Sequence, residues 1–141
     1  MRDSAIIDTY LDQTLTSPCG SPVPESVGHV FGTATPQGPT DWELLHQVQR
    51  RWLASLTKLG VQASPGYAIG AIQSWVEPVI FTAGLNEQSA EMIAVDCRLE
   101  YYLALREGTV EVLDRRGNVR GRGPLLTPDT TGACVMPNTD A

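Results

Sequence analysis

Residues 99–120, LEYYLALREGTVEVLDRRGNVR, decide the fold. From Leu99 the chain alternates, with Leu99, Tyr101, Leu103 and Leu105 on one face and Glu100, Tyr102, Ala104 and Arg106 on the other, which is the period of a half-buried strand. Glu107-Gly108 then supplies a two-residue turn, because glycine takes a positive φ without steric cost. A turn that tight sets Arg106 opposite Thr109, Leu105 opposite Val110, Leu103 opposite Val112 and Tyr102 opposite Leu113. A slip of one residue would throw Leu103, Leu105, Val110 and Val112 to the solvent side, so burial fixes the register. Asp114-Arg115-Arg116-Gly117 is a second turn signal, and Asn118-Val119-Arg120 begins the return strand.

Upstream, the strongest helix signal is Thr40-Asp41-Trp42-Glu43, a capping-box pattern in which the Thr hydroxyl and the Glu carboxylate satisfy free N–H groups at the helix start. Leu45, Val48, Trp52, Leu56 and Leu59 follow at spacings of three and four, and Gly60 ends the run, predicting a helix over 41–59 that lies across the sheet. Its basic residues Arg50, Arg51 and Lys58 suit the negative end of the helix dipole. Ile6, Ile7, Tyr10, Leu11 and Leu15 predict a shorter helix within residues 4–15, capped by Ser4, with Ile7 and Leu11 buried.

The remaining segments are weaker signals. Residues 17–39 carry five prolines among Gly, Ser and Thr and read as a long loop. After Ser64-Pro65-Gly66, Tyr67, Ile69, Ala71 and Trp75 share one parity and predict a strand; Pro78 marks an edge or bend, and a further strand covers 79–85. Residues 86–89 read as a polar turn and Met92 to Cys97 as a central strand. Gly121, Gly123 and Pro124 are expected to end the sheet, residues 133–136 to add one short strand, and 137–141 to fray. The expectation is one α+β domain spanning 1–141: a mostly antiparallel, twisted sheet of about five or six strands, the long helix 41–59 on a face, and a short N-terminal helix.

Composition narrows the function classes. The formal net charge is −6, which argues against non-specific nucleic-acid binding, since that needs many Lys and Arg contacts to phosphate. Three widely spaced cysteines, Cys19, Cys97 and Cys134, do not form a disulfide framework, and the N-terminus, with Asp3, Asp8 and Asp12, is unlike a signal peptide. The most apolar stretch, 75–83, is interrupted by Glu77 and Pro78 and is too short to cross a membrane. These features predict a cytoplasmic protein without a membrane partner. Lys58 is the sole lysine among ten basic residues, and that usage points to a GC-rich bacterial source.

No pattern in the chain names a chemistry. None of the glycines forms a phosphate loop, and the two histidines, His29 and His46, and the cysteines do not fall at metal-ligand spacing, so no metal or cofactor is expected. Cys97, next to Asp96, reads as a small buried residue, and the carboxylate pairs Asp96/Glu100 and Glu107/Glu111 share a face without converging. The sharpest local feature is the run Arg115, Arg116, Arg120 and Arg122, whose guanidinium groups gathered at one sheet edge suit an acidic partner. Against that, the hairpin register brings Glu100 near Arg115 and Glu111 diagonal to Arg106, pairing part of this charge across strands. Tyr102 opposite Leu113 sets an apolar pair on the polar face, which is either covered by another element or a contact point.

The leading expectation is therefore a binding module acting by protein–protein contact through Arg115, Arg116, Arg120, Arg122, Tyr102 and Leu113, a description that small acidic inhibitors and immunity proteins also fit. Two other readings stand beside it. One is a small-ligand protein or enzyme with a pocket between helix 41–59 and the sheet, lined by Tyr67, Trp75 and Tyr101. The other is a homo-oligomer joined through a sheet edge or the Tyr102/Leu113 patch. If Arg115 and Arg116 are contacts, replacing both by Ala should abolish partner binding with little loss of stability.

Overall fold

The computed structural model describes residues 2–34, 41–70, 76–126 and 128. Among the described residues it is an α+β fold of three helices and one seven-stranded antiparallel sheet, more strands and more helices than the sequence suggests. Along the chain the elements are α1 (Arg2–Leu11), β1 (Thr14–Thr16), β2 (Val27–Gly32), α2 (Trp42–Lys58), β3 (Gln62–Ile69), β4 (Val76–Ala83), α3 (Glu87–Asp96), β5 (Tyr101–Arg106), β6 (Thr109–Asp114) and β7 (Val119–Pro124). The sheet order is β1-β3-β4-β2-β5-β6-β7. Leu126 forms a parallel bridge to Thr14, so the curled sheet nearly returns to its own first strand.

The β5–β6 hairpin has the expected register at every pair, from Arg106↔Thr109 through Leu103↔Val112 to Tyr102↔Leu113. Glu107 and Gly108 both take positive φ, 50° and 80°, the mirror-image turn whose twist matches that of the strands. At the second turn the Gly117 N–H donates to the Asp114 carbonyl at 2.9 Å, and the Asp114 carboxylate accepts from the N–H groups of Arg116 and Asn118.

Five readings need correction. The Pro/Gly-rich segment contains β2, a central strand paired with both β4 and β5; residues 35–40 lie outside the described residues. Ser64-Pro65-Gly66 does not precede the strand but is part of β3. Pro65 is tolerated there because β1 pairs only with residues 67–69, leaving that part of β3 with β4 as its one neighbour. Residues 86–89 are not a free turn: Asn86 is the N-cap of α3 and accepts from the Ser89 N–H at 2.8 Å. Met92 to Asp96 are then helical, and Met92 and Val95, expected in a strand, project outward at 60% and 54% exposure. Finally, β7 runs through Gly121 and Gly123, since both lie under α1 and a Cβ on Gly121 would meet the Ile7 side chain at 2.6 Å.

Smaller differences concern the helix ends. Asp41 caps α2, accepting from the Glu43 N–H at 2.9 Å, while Thr40 lies outside the described residues. Leu59 is the C-cap and is exposed, beyond the buried stripe of Leu45, Gln49 and Leu56. Ser4 lies within α1 instead of preceding it. Residues 71–75 and 133–141, including Trp75, lie outside the described residues.

The two faces of the sheet are filled differently. On the inner face Val30, Ala68, Val79, Phe81, Leu103, Val110 and Val112 pack with Ile7 of α1, and Ile6, Tyr10 and Leu11 close over them. On the outer face Ala90 and Ala94 of α3 meet Phe31, Tyr102, Ala104 and Leu113, with Trp52 of α2 alongside. Gln49, on the buried stripe of α2, donates to the carbonyls of Gly66 and Val79 at 3.0 and 2.8 Å and so ties the helix to β3 and β4. No helix among the described residues is long and apolar enough to cross a membrane.

Candidate functional site

The four arginines do not form one patch. In the β6–β7 pairing Val112 meets Gly121 but Leu113 meets Val119, leaving Arg120 as the extra residue of a bulge. That residue breaks the alternation, and it sends Arg120 and Arg122 to different surroundings although they stand two apart. Arg122 lies on the outer side, its Nε donating to the Glu111 carboxylate at 2.8 Å; Arg106 reaches Glu111 at 3.5 Å and Glu87 at 2.9 Å. The Glu111–Arg106 diagonal expected from the register is thus present. Arg122, expected among the gathered arginines, is already matched within the fold.

Arg115, Arg116 and Arg120 instead surround an open cleft of about 430 Å³, together with Glu100, Tyr101, Asp114 and Asn118. Arg115 Nε donates to the Leu99 carbonyl at 2.9 Å, so this arginine also braces the start of β5. Arg120 touches Asp114 at 3.5 Å, a loose pair with 41% of the Arg side chain exposed. The Arg116 guanidinium makes no hydrogen bond or ion pair among the described residues. Partial burial opposes ionisation of Asp114, but the N–H groups of Asn118 and Arg116, with Arg120, outweigh it and hold the carboxyl below its ordinary range. The turn is therefore built on an anion, and the arginines around it are held by the backbone it organises.

Tyr102 and Leu113 are no contact surface. They are 2% and 7% exposed, because α3 covers them. A strand over Met92 to Cys97, as the sequence suggests, would leave this pair uncovered; the helix that forms over Glu87–Asp96 buries it. Beside it lies a small polar cavity of about 70 Å³ lined by His29, Glu87, Glu91, Tyr102, Arg106 and Glu111 among others. His29 is 7% exposed, and neither ring nitrogen has a partner among the described residues. Burial, reinforced by Arg106 and opposed by Glu87, lowers the His29 pKa.

Of the two described residues expected to line a pocket under α2, Tyr67 stands beside the helix and Tyr101 does not. Tyr67 lines a groove of about 510 Å³ between α2 and β3, but Tyr101 lies on the inner face, edge-on to Tyr10 at 5.9 Å. The groove's other aromatic residues are Trp42 and His46. Trp42 stacks on Tyr67 with ring centres 6.0 Å apart and meets the His46 ring edge-on at 4.3 Å. His46 Nδ1 faces the Trp42 carbonyl at 3.2 Å, which can only accept; a neutral ring then presents Nε2 as acceptor to the Tyr67 hydroxyl at 2.8 Å. Burial lowers the His46 pKa; the hydrogen bond to the Trp42 carbonyl opposes this, and the nearby Arg50 charge adds to the lowering. His46, placed by periodicity on the helix surface, joins the site only because Tyr67 comes from a strand 21 residues away.

Cys97, the candidate thiol, is half-buried, and burial with the Asp96 charge pushes its pKa up to about 12, opposite to what a nucleophile requires. Among the described residues no three His, Cys, Asp or Glu side chains converge in a way that could hold a metal ion. Comparison with protein-family models, with curated proteins and with solved structures finds no match for this chain.

Proposed function

We propose that this chain is a binding module acting by protein–protein contact, and that Arg116 and Arg120 at the β6–β7 corner grip a carboxylate-rich segment of the partner. One observation carries the reading: the corner keeps guanidinium groups facing an open cleft, whereas Arg106 and Arg122 are matched to Glu87 and Glu111. A guanidinium offers a planar fork of donors that fits a carboxylate bidentately, and at an open cleft both donors reach it without rearranging the fold. Because the chain as a whole carries −6, the corner is a local attractor set in a repulsive surround, which favours a short acidic segment over a long polyanion. An inhibitor-like role in a bacterial cytoplasm, with another protein as partner, is part of this reading.

The test uses a defined probe. A ten-residue glutamate-rich peptide titrated calorimetrically at low salt should bind the protein saturably, and affinity should fall as salt rises. Arg116→Ala combined with Arg120→Ala should weaken binding by at least ~10-fold, the loss of about 1.4 kcal/mol of charge-assisted contact. Equal affinity for the two proteins contradicts the proposal, as does an affinity insensitive to salt. Sedimentation of the unmixed protein distinguishes a second copy of the chain as partner: a monomer at high concentration excludes self-association through this corner.

A further inference from the structure

Arg50 has no role in the corner and is poorly explained by the helix dipole. The dipole acts within the last turn, where Lys58 stands, and Arg50 lies in the middle of α2. It is exposed, it takes part in none of the four ion pairs among the described residues, and it lines the groove that holds Trp42, His46 and Tyr67. Its charge is felt inside the groove, lowering the pKa of His46 and opposing the rise that burial imposes on Tyr67.

We propose that the groove between α2 and β3 is a binding site for a small planar organic anion, its ring against Trp42 and Tyr67 and its acid group on Arg50. The groove's volume, about 510 Å³, falls in the range of small-molecule pockets. Its aromatic floor is fixed in place: the Tyr67 hydroxyl is anchored on His46, His46 on the Trp42 carbonyl, and Gln49 on two strand carbonyls. A ligand ring therefore meets a prearranged surface, which lowers the ordering cost of binding. Glu43 lines the same groove seven residues before Arg50, about 10 Å along the helix at 1.5 Å per residue, so the charges at the two ends are opposite. That polarity directs the acid group toward Arg50 and excludes the reversed orientation. The Tyr67 oxygen, having donated its hydrogen to His46, offers only lone pairs and accepts from a ligand N–H or O–H.

The probes are 2-naphthoate, its neutral amide 2-naphthamide, and 2-naphthyl phosphate, followed by amide and indole chemical shifts of the intact protein. Naphthoate should give saturable shifts at the Trp42 indole N–H and at Arg50, and the amide should bind at least ~10-fold more weakly, the worth of one exposed charge-assisted contact with its hydrogen bonds. Arg50→Gln, a surface change whose fold is verified by the same spectra, should remove the preference for the acid over the amide. Tighter binding of the phosphate than of the carboxylate identifies a phosphorylated ligand, and the reverse a carboxylic acid; either outcome supports an anion site. Equal binding of acid and amide, an unaltered preference in Arg50→Gln, or shifts confined to residues 115–120 overturns the proposal. Because the spectra separate the groove from the arginine corner, either site can fail alone.

Discussion

On the inner face of the sheet the bulky Phe81, Leu103, Val110 and Val112 share one cluster with Ile7 of α1, whereas on the outer face Ala90 and Ala94 let α3 settle onto Phe31, Tyr102 and Ala104 by being small. The inner face is closed with aliphatic and aromatic side chains. The outer face carries His29, whose ring nitrogens have no hydrogen-bond partner among the described residues, a ring of Glu and Arg around it, and the α2 groove. Bulk makes a face indifferent to polar detail, while close approach of a helix through alanine leaves polar groups wherever the helix ends. The candidate functions accordingly lie outside the inner core, at the sheet corner and on the outer face.

Truncation should separate the faces most strongly. Phe81→Ala, at a site with 1% exposure under Gly66, should cost about 3–5 kcal/mol in urea unfolding, because nothing else can fill the space. A cost below about 1 kcal/mol would show that the inner face is loosely packed. The outer face should fail to the opposite change: Ala94→Leu should cost about 1–3 kcal/mol by lifting α3 from the sheet. Stabilisation by that substitution would mean α3 is not seated through its alanines.

A third prediction uses pH. His29 has its pKa lowered in the fold, so the unfolded chain binds more protons below the unfolded value near 6.5. Its contribution to stability is fully present above that pH and is lost as pH falls toward the folded value, at no more than about 1.4 kcal/mol per pH unit. Glu87 and Glu91 on α3, Glu111 on β6 and Arg106 on β5 face the same cavity; Arg106 opposes the proton and Glu87 favours it. His46 shifts in the same direction and the buried Glu77 in the opposite one, so the slope of unfolding free energy between pH 7 and 5 should be less positive in His29→Gln than in the parent protein. An unchanged slope would place the titration elsewhere.

At the corner the effects on stability are smaller. Arg115→Ala should cost about 1 kcal/mol through the lost bond to the Leu99 carbonyl, while Arg116→Ala should stay within about 0.5 kcal/mol. Pairing these two substitutions as one neutral test of contact, as the sequence suggests, would therefore mix a structural loss with a binding loss.

How far the sequence reveals this molecule depends on whether a feature is periodic. The β5–β6 register and α2 follow from alternation and from three-and-four spacing; the register holds at every pair, and α2 buries the expected Leu45 and Leu56 but not Leu59. The strand β2 is hidden because Val27-Gly28-His29 contains a bulge that resets its parity inside a proline-rich segment. The helix α3 is hidden because Ile93 and Val95 are β-branched and its buried face is only alanine. The arginines appeared as one patch because period two carries Arg120 and Arg122 together, and a bulge leaves no mark on composition. His46 and Tyr67 meet only in the folded chain. The Arg115, Arg116 and Arg120 cluster was legible; its separation from Arg122 was not.

That separation is also what the account rests on, and it is open to one comparison. Arg120→Ala and Arg122→Ala differ by two positions on one strand and remove the same charge, so a net-charge effect is identical in both. Titrated with the glutamate-rich peptide at low salt, Arg120→Ala should bind several-fold more weakly than the parent protein while Arg122→Ala, whose charge is matched to Glu111, binds like it. Equal weakening in both variants, or a larger loss in Arg122→Ala, would contradict the division of the arginines by the β7 bulge.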